Sequence, residues 1–145
     1  MSIHAATVPE AKTLYTARVH TTGGRGAGIS LSSDGRLDVH HSIPGGPGNG
    51  TNPEQLLAAG WSACFEGAMG TVARSMKIAL PADLAIDAEV DLNVGGDGYF
   101  LSARLNVSLP GIDRTLAEEI IAAADKTCPY SKAVRGNVGV KLVLV

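Results

Sequence analysis

The sequence predicts an α+β fold in one domain, and three features of the chain lead to this prediction. Apolar and polar residues alternate strictly in two stretches, 84–94 and 101–109, as they do in strands with one buried face. A long, mostly apolar segment after Asn52 has the start signals and the length of a helix. With 145 residues, 45% of them hydrophobic, the chain is long enough for one domain with a core.

The first third of the chain is predicted to form a small antiparallel meander. Residues 12–20 are rich in strand formers, and the short runs 27–32 and 36–42 flank an Asp-Gly turn at 34–35, which is a two-residue hairpin signal. Residues 43–52 contain four Gly and two Pro and show no apolar period, so we expect a loop there. Functional residues often lie on such loops.

A long helix is predicted from Asn52 to about Ile78. Asn52 is a capping residue, Pro53 suits the first helical position, and Glu54 places an acid in the first turn. Apolar residues follow on nearly every side of this helix, which predicts a place in the interior or in a subunit interface. Three glycines lower its helix propensity and therefore indicate close packing of another backbone, or a local break. They are Gly60, Gly67 and Gly70.

The second half of the chain is predicted to form a hairpin, a helix and a final strand. A Gly-rich turn joins the two alternating stretches into an antiparallel pair with one face in solvent. Thr115 and Glu118 have the spacing of a capping box before a helix that ends near Thr127, because Pro129 disfavours helical geometry at the residue before it. An alternating stretch at 138–144 is the last strand.

Composition and charge exclude several classes of function. A net charge of −2, a pI near 6.0 and the lack of any Lys/Arg run argue against a nucleic-acid partner. The longest apolar stretch, 56–65, is far shorter than a membrane span. Residues 1–12 lack the features of a signal peptide, so we expect a cytoplasmic protein with a flexible N-terminal extension. Scarce aromatic residues, at 4%, favour a homo-oligomer.

Neither a metal site nor a phosphate loop is predicted. All four histidines lie in the first third of the chain, and no two of them have the spacing of a metal-ligand motif. The Gly-rich segments 23–28 and 45–50 match neither the dinucleotide-binding fingerprint nor the P-loop pattern. We therefore expect no bound metal and no bound cofactor.

The two cysteines are the candidate reactive groups. Their spacing fits neither a disulfide scaffold nor a CxxC motif, and most buried cysteines are inert. Cys128 stands before Pro129, where a new short helix can begin and its amides can activate a thiol. Cys64 lies mid-helix in apolar surroundings, which raise a thiol pKa, so a nucleophilic role requires a nearby cation. Arg25, between two glycines, is the candidate cation, although a solvated turn arginine is the simpler interpretation.

Three motifs, taken together and in order, resemble one known family. They are GGR at 23–25, TNPEQLLAAGWSACF at 51–65 and CPYSKAVRGN at 128–137, and they resemble the organic hydroperoxide resistance proteins, the peroxidase branch of the OsmC-like family. The resemblance covers nearly the whole chain from about Leu14. It implies an OsmC-like α+β fold, in which antiparallel sheets pack around a long central apolar helix, and an intertwined homodimer. It also implies a thiol peroxidase without metal or haem.

By matching motifs, the resemblance assigns four catalytic residues. Cys64 of the SACF motif attacks the peroxide, and Cys128 of the CPYS motif resolves the sulfenic acid as a disulfide before overoxidation. Arg25 stabilises the thiolate and the bound peroxide, and Glu54 orients Arg25 through a charge-assisted pair. The reductant that the family implies is the dihydrolipoyl group of lipoylated proteins, which is an external partner and not a bound cofactor.

Apolar residues on the long helix are expected to line the substrate pocket and to favour alkyl and lipid hydroperoxides over hydrogen peroxide. They are Leu57, Trp61 and Phe65. The chain departs from the family pattern at two positions. Gly26 follows Arg25 where an acidic residue is common, and Trp61 occupies a position often held by Tyr. The first departure bears on the resting position of the arginine loop, the second on the shape of the pocket, and neither removes a catalytic group.

Helix geometry sets a condition on this site. Glu54 and Cys64 are ten residues apart, which is about 15 Å along one continuous helix, so their side chains cannot touch within it. Either the helix breaks between them, or the site is shared. In the second case Arg25 and Glu54 meet Cys64 by folding of the Gly-rich N-terminal half, or they come from a second subunit.

Two other functions remain open at this point. One is an enzyme of the osmotically inducible branch of the same family, with similar chemistry and a different substrate preference. The CPYSKAVRGN motif and the early GGR favour the hydroperoxide resistance branch over it. The other is a non-enzymatic redox sensor or ligand-binding module. Against a sensor stands the lack of an output surface such as a basic helix.

Overall fold

Ten elements of secondary structure follow one another in residues 10–145, the part of the chain that the computed structural model describes. In chain order they are β1 (Val19–Thr22), α1 (Gly24–Ala27), β2 (Ile29–Ser32), β3 (Asp38–His40), α2 (Pro53–Ser75), β4 (Ala85–Gly95), β5 (Gly98–Ser108), α3 (Arg114–Thr127), α4 (Pro129–Val134) and β6 (Gly139–Leu144). The chain divides into two units, residues 1–51 and 52–145. Helices and two small sheets together confirm the predicted α+β class.

The second unit contains the predicted hairpin. β4 and β5 pair antiparallel from Ala85–Ser108 to Gly95–Gly98, with a two-residue turn between them. β6 then pairs with β5 in the parallel direction, with Leu105 opposite Leu142. This pairing departs from the expected antiparallel sheets. The physical reason is the connection, because the chain returns from β5 through α3 and α4, and such a crossover brings the next strand back in the same direction.

The long helix α2 begins as predicted and is continuous over 23 residues. The Asn52 side chain accepts a hydrogen bond from the Gln55 amide at 2.9 Å, and Pro53 is the first helical residue. The helix ends at Ser75 and not near Ile78. The chain leaves the helical direction there, since Lys77 has a φ of 58°.

One side of α2 builds the core of the second unit, against β5 and α3. The fully buried large side chains of this core are Trp61, Phe65, Met69, Leu105, Val107, Ile120 and Cys128. The opposite side of the helix, with Ala59, Ala63 and Gly67, is exposed on the chain. The helix was expected to lie in the interior or in a subunit interface. Within the described chain, only the side that carries Trp61, Phe65 and Met69 is buried.

A bend at Cys128 joins the two short helices of the second unit. α3 is capped by Asp113, whose carboxylate accepts hydrogen bonds from the amides of Thr115 and Leu116, so the predicted capping box at Thr115 is wrong. Asp113 is the capping residue because it stands one position before the first helical residue, where its side-chain oxygen accepts from the free amides of the first turn. α3 ends at Thr127, as predicted, and Cys128 caps both α3 and α4.

The first unit is a three-stranded antiparallel sheet in the order β1-β2-β3. The meander is confirmed, but its first strand begins at Val19, and the exposed residues 10–18 form no strand. The one-turn helix α1 was not predicted, because the four glycines of segment 23–28 favour a turn over a helix. Expected flexibility at residues 1–12 falls mostly on residues 1–9, which lie outside the described residues. The prediction of a single domain stays a prediction.

No helix among the described residues has both the length and the hydropathy needed to cross a membrane.

Candidate active site

The two cysteine side chains meet inside the second unit. Cys64 projects from the middle of α2 and is partly exposed, whereas Cys128, at the start of α4, is completely buried. Both are free thiols, and Cys128 lies near enough to Cys64 to raise the pKa of its thiol. Folding therefore brings together two cysteines that are far apart in sequence. Cys64, on α2, is the more exposed of the two.

The surroundings of Cys64 raise the pKa of its thiol. Burial is the main cause, and the hydrogen bond and charge of Cys128 act in the same direction. The backbone amide of Tyr130 bonds to Cys64 and lowers the pKa, but this effect is the smallest. The increase that the apolar mid-helix position predicted is confirmed. Cys64 is thus a protonated thiol within its own unit at neutral pH, and a cation is needed to make it a thiolate.

The backbone amide of Tyr130, at the start of α4, lowers the pKa of the Cys64 thiol, whereas this effect was expected at Cys128. The sequence suggested that amides of a new helix would act on Cys128, but the Cys128 side chain makes no capping hydrogen bond. The Tyr130 amide acts on Cys64 instead. The bend at Cys128 explains this, because its extended backbone, with φ −64° and ψ 122°, turns the first turn of α4 toward α2.

Two further contacts hold α4 against α2. The sequence analysis did not predict which residues of α4 would make them. A Cβ added at Gly60 would lie 2.7 Å from the Tyr130 hydroxyl, so the tyrosine ring occupies the space above this glycine. One residue later, the Trp61 indole N–H donates to Ser131 Oγ at 3.1 Å. The close packing predicted at Gly60 is real, but its partner is a side chain and not a backbone. The only sequence signal for these partners is their place beside Cys128 in the CPYS motif.

The three expected pocket residues have different environments. Trp61 and Phe65 are 1% and 0% exposed and belong to the core, while Leu57 is half-buried. Trp61 also lines a cleft of about 190 Å³ in the second unit, together with Ser131 and apolar residues of β6. Phe65 is not among the residues that line this cleft. That these three residues contact a substrate stays a prediction.

Glu54 lies in the first turn of α2, and the helix between it and Cys64 has no break. The two residues are therefore about 15 Å apart along the axis. This excludes the local break as a way to bring Glu54 to Cys64. That Arg25 and Glu54 meet Cys64 in a shared site stays a prediction.

Arg25 lies in the first unit, on the one-turn helix α1. The Gly28 amide donates to the Gly24 carbonyl oxygen at 3.0 Å, and a Cβ at Gly28 would overlap that same oxygen. Gly23 has a φ of 74°, a left-handed conformation that glycine adopts at no steric cost. Glycines thus fix the shape of the turn that carries Arg25. The roles of Arg25 and Glu54 stay predictions.

The described residues offer no cluster that resembles a metal site. Among residues 10–145, no group of three or more His, Cys, Asp and Glu side chains is arranged to hold an ion. His41 is buried in the first unit, where its Nε2 and Ser30 Oγ are 2.7 Å apart in a hydrogen bond. This histidine therefore has a structural partner on β2 of the first unit.

Comparison with known proteins identifies the family. A family model described as OsmC-like protein matches residues 46–143. The organic hydroperoxide resistance protein of Xanthomonas axonopodis pv. citri (strain 306) is 44% identical over 137 residues, which cover 92% of this chain and 96% of that protein. The organic hydroperoxide resistance protein OhrB of Bacillus subtilis (strain 168) is 42% identical over 134 residues, with 90% and 98% covered.

Solved structures give the same result. The crystal structure of OhrB from Bacillus subtilis superposes with a TM-score of 0.86 at 43% identity and covers 92% of this chain and 100% of that one. An organic hydroperoxide resistance protein from Legionella pneumophila gives a TM-score of 0.86 at 42% identity, with 92% and 98% covered. The resemblance seen in the three motifs is confirmed: the chain belongs to the organic hydroperoxide resistance branch of the OsmC-like family.

Proposed function

We propose that this protein confers resistance to organic hydroperoxides as a cysteine-based thiol peroxidase, which reduces alkyl and lipid hydroperoxides to alcohols. The observation that carries the proposal is the contact between Cys64 and Cys128 within one unit. Two thiols in reach of each other can pass from sulfenic acid to disulfide without a large movement of the chain. The names of the relatives support the substrate class.

The reaction has two steps at the sulfurs. The Cys64 thiolate attacks the outer oxygen of the hydroperoxide and the O–O bond breaks, so that ROOH and one proton become ROH while Cys64 becomes a sulfenic acid. The Cys128 thiol then attacks the Cys64 sulfur, a disulfide forms, and the hydroxyl leaves as water. Two electrons pass from the thiol pair to the peroxide.

Regeneration requires a dithiol, and we propose the dihydrolipoyl group of lipoylated proteins. Its two thiols reduce the Cys64–Cys128 disulfide by exchange and become the lipoyl disulfide. The reductant is thus a protein partner, and the cycle needs neither a metal nor a bound cofactor. A cycle of this kind fits the cytoplasm, where the surrounding thiol pool is reducing.

Arg25 and Glu54 are proposed to activate Cys64. Because burial raises the pKa of this thiol, a cation beside it has a large effect on the thiolate fraction. A guanidinium suits the role, since it stays charged and donates several hydrogen bonds to peroxide oxygens. Glu54 orients it through a charge-assisted pair, and Leu57, Trp61 and Phe65 supply the apolar side of the pocket.

We also propose a homodimer. The side of α2 that carries Ala59, Ala63 and Gly67 is exposed on the single chain, and so are large apolar residues at the tip of the β4–β5 hairpin. These are Leu92, Val94, Tyr99 and Phe100. A second copy that covers such surfaces supplies the buried area that a single chain lacks.

The test is peroxide consumption driven by dihydrolipoamide, with cumene hydroperoxide and hydrogen peroxide compared for the wild type, Cys64→Ser and Cys128→Ser. We expect the wild type to prefer the organic peroxide and Cys64→Ser to be inactive. Cys128→Ser retains one sulfenylation per chain and then stops, which separates attack from resolution. Turnover by Cys64→Ser, or none by the wild type, contradicts the proposal and favours a binding or sensor role.

A further inference from the structure

A buried hydrogen bond joins α2 to α4 one helical turn before Cys64. The Trp61 indole N–H donates to Ser131 Oγ at 3.1 Å, and the two residues are 1% and 2% exposed. They are 70 residues apart in sequence. A buried indole N–H without this partner would carry the full cost of desolvation, so the bond strongly favours one position of α4 on α2.

The first turn of α4 fixes Ser131 relative to Cys128, because both residues belong to it. The Cys128 carbonyl accepts a hydrogen bond from the Lys132 amide at 3.0 Å, which closes the turn that contains Ser131. The same turn supplies the Tyr130 amide to Cys64. Fixing Ser131 against α2 therefore also fixes the Cys128 sulfur against the Cys64 sulfur.

α4 depends on such contacts because it is short. It has six residues, far fewer than an isolated helix needs for stability in water. At its far end Arg135 donates to the Asp125 carbonyl oxygen and carboxylate of α3, at 2.7 and 3.0 Å, but this pair is exposed. The Trp61–Ser131 bond is a buried contact on the side of α4 that carries Cys128.

We propose that Ser131, through its hydrogen bond with Trp61, is the positioning residue that holds Cys128 in bonding range of Cys64. It acts on the reacting sulfurs through the position of α4. It sets the effective concentration of the Cys128 thiol at Cys64 and so decides how often a sulfenic acid is resolved. The part that concerns sulfenic acid rests on the proposed function, whereas the equilibrium between dithiol and disulfide does not.

Two reactions compete for the Cys64 sulfenic acid. Attack by the Cys128 thiol forms the disulfide and releases water. In the second reaction the sulfenate attacks the outer oxygen of another hydroperoxide, the O–O bond breaks, and the products are the sulfinic acid and one alcohol. Thiols do not return the sulfinic acid to the thiol. A less well positioned Cys128 shifts the outcome toward the sulfinic acid at the same peroxide concentration.

The first measurement needs no peroxide. Full-length wild type, Ser131→Ala, Ser131→Thr and Ser62→Ala are equilibrated with glutathione redox buffers, and the Cys64–Cys128 disulfide is quantified by mass spectrometry. We expect the effective concentration of the pair to fall about tenfold in Ser131→Ala, the scale of one lost buried hydrogen bond. Ser62→Ala is the matched control, because within residues 10–145 the Ser62 hydroxyl donates to backbone oxygens of its own helix, at Ala58 and Ala59.

Ser131→Thr tests whether the hydroxyl is the active feature. Threonine keeps the hydroxyl that accepts from Trp61, and it adds one methyl group at a residue that lines the cleft of about 190 Å³. We expect this variant to restore the wild-type effective concentration. If Ser131→Ala fails to fold, Trp61→Phe removes the donor of the same hydrogen bond, and it should lower the effective concentration by a similar factor.

The second measurement follows Cys64 sulfinic acid under graded cumene hydroperoxide. We expect severalfold more sulfinic acid in Ser131→Ala than in wild type and Ser62→Ala, with Ser131→Thr near wild type. An unchanged effective concentration in Ser131→Ala overturns the proposal, even where the melting temperature falls. If peroxide oxidises none of these proteins while the glutathione result holds, the proposed function fails and the positioning role stands.

Discussion

Residues 52–145 and residues 10–51 differ in what holds them together. The second unit buries large side chains from α2, β5 and α3 in one apolar core. In the described part of the first unit the buried residues are Gly28, Ser30 and His41, while Leu31 and Ile43 are exposed. Its sheet is held by backbone pairing and by polar contacts, such as the bond between Ser30 and His41.

This difference separates two kinds of chemical requirement. Disulfide formation needs two sulfurs at a fixed distance, and both cysteines are attached to the unit with the core. Activation by Arg25, as proposed, depends on a unit whose local shape rests on glycine backbone geometry. We infer that mutations in the two units should differ in kind: core changes act on global stability, and glycine changes act on the arginine turn.

The largest expected effect is on stability, from truncation of the core. Phe65→Ala should lower the free energy of unfolding by about 3–5 kcal/mol, because Phe65 is fully buried and the cavity cannot collapse completely. Leu31→Ala, at a residue 44% exposed, should cost below about 1 kcal/mol. Urea unfolding at one fixed protein concentration measures both. A loss for Leu31→Ala as large as for Phe65→Ala would mean that the first sheet is covered in the assembled protein.

The next effect is local to the arginine turn. Gly28→Ala forces backbone atoms apart, since the new Cβ overlaps the Gly24 and Thr22 carbonyl oxygens, and we expect a loss of about 1–3 kcal/mol. Peroxide consumption should fall with it, as the turn carrying Arg25 is distorted. Gly26→Ala is the control, because its Cβ meets Ile43 at an ordinary 3.6 Å. Wild-type kcat/KM in Gly28→Ala would remove the turn from the proposed mechanism.

A pair of glycine substitutions in α2 sharpens the comparison within the stable unit. Gly67→Ala places a Cβ in open space on a helix and should stabilise the protein by up to about 1 kcal/mol. Gly60→Ala displaces the Tyr130 ring and should lose this gain. Thermal unfolding of both variants gives the difference. Destabilisation by Gly67→Ala would instead indicate that another chain packs closely on that side of the helix.

The smallest effect is on the pH dependence of stability. Burial and Cys128 raise the pKa of the folded Cys64 thiol, so its protonated form contributes stability that is fully present below the unfolded-state pKa of about 8.5. That contribution is lost as the pH rises through the folded pKa. Unfolding curves between about pH 7 and pH 10 should therefore fall more steeply for wild type than for Cys64→Ala. Parallel curves would show that Arg25 or another cation cancels the increase in the assembled protein.

Much of the second unit follows from local sequence. The alternation in 84–109 fixes the hairpin, and Asn52-Pro53-Glu54 fixes the start of α2, because period and capping are properties of neighbouring residues. Pro129 ends α3 for the same kind of reason. The parallel pairing of β6 did not follow, since it depends on how α3 and α4 carry the chain across the sheet. The cap at Asp113 was missed because Thr115, two residues later, is also a residue type that caps helices. The helix α1 was missed because its segment is rich in glycine, which favours turns.

For the candidate site, the sequence determined the reactive residue types. It also predicted the direction in which the Cys64 pKa shifts, because the residues around Cys64 are apolar and favour its burial. The tertiary structure decided that Cys64 and Cys128 lie near each other and that the Tyr130 amide lowers the pKa of Cys64. It also decided that Trp61 bonds to Ser131. These contacts join residues dozens of positions apart, and no periodicity or capping rule reaches that far. Only the packing of α4 on α2 brings them within bonding distance.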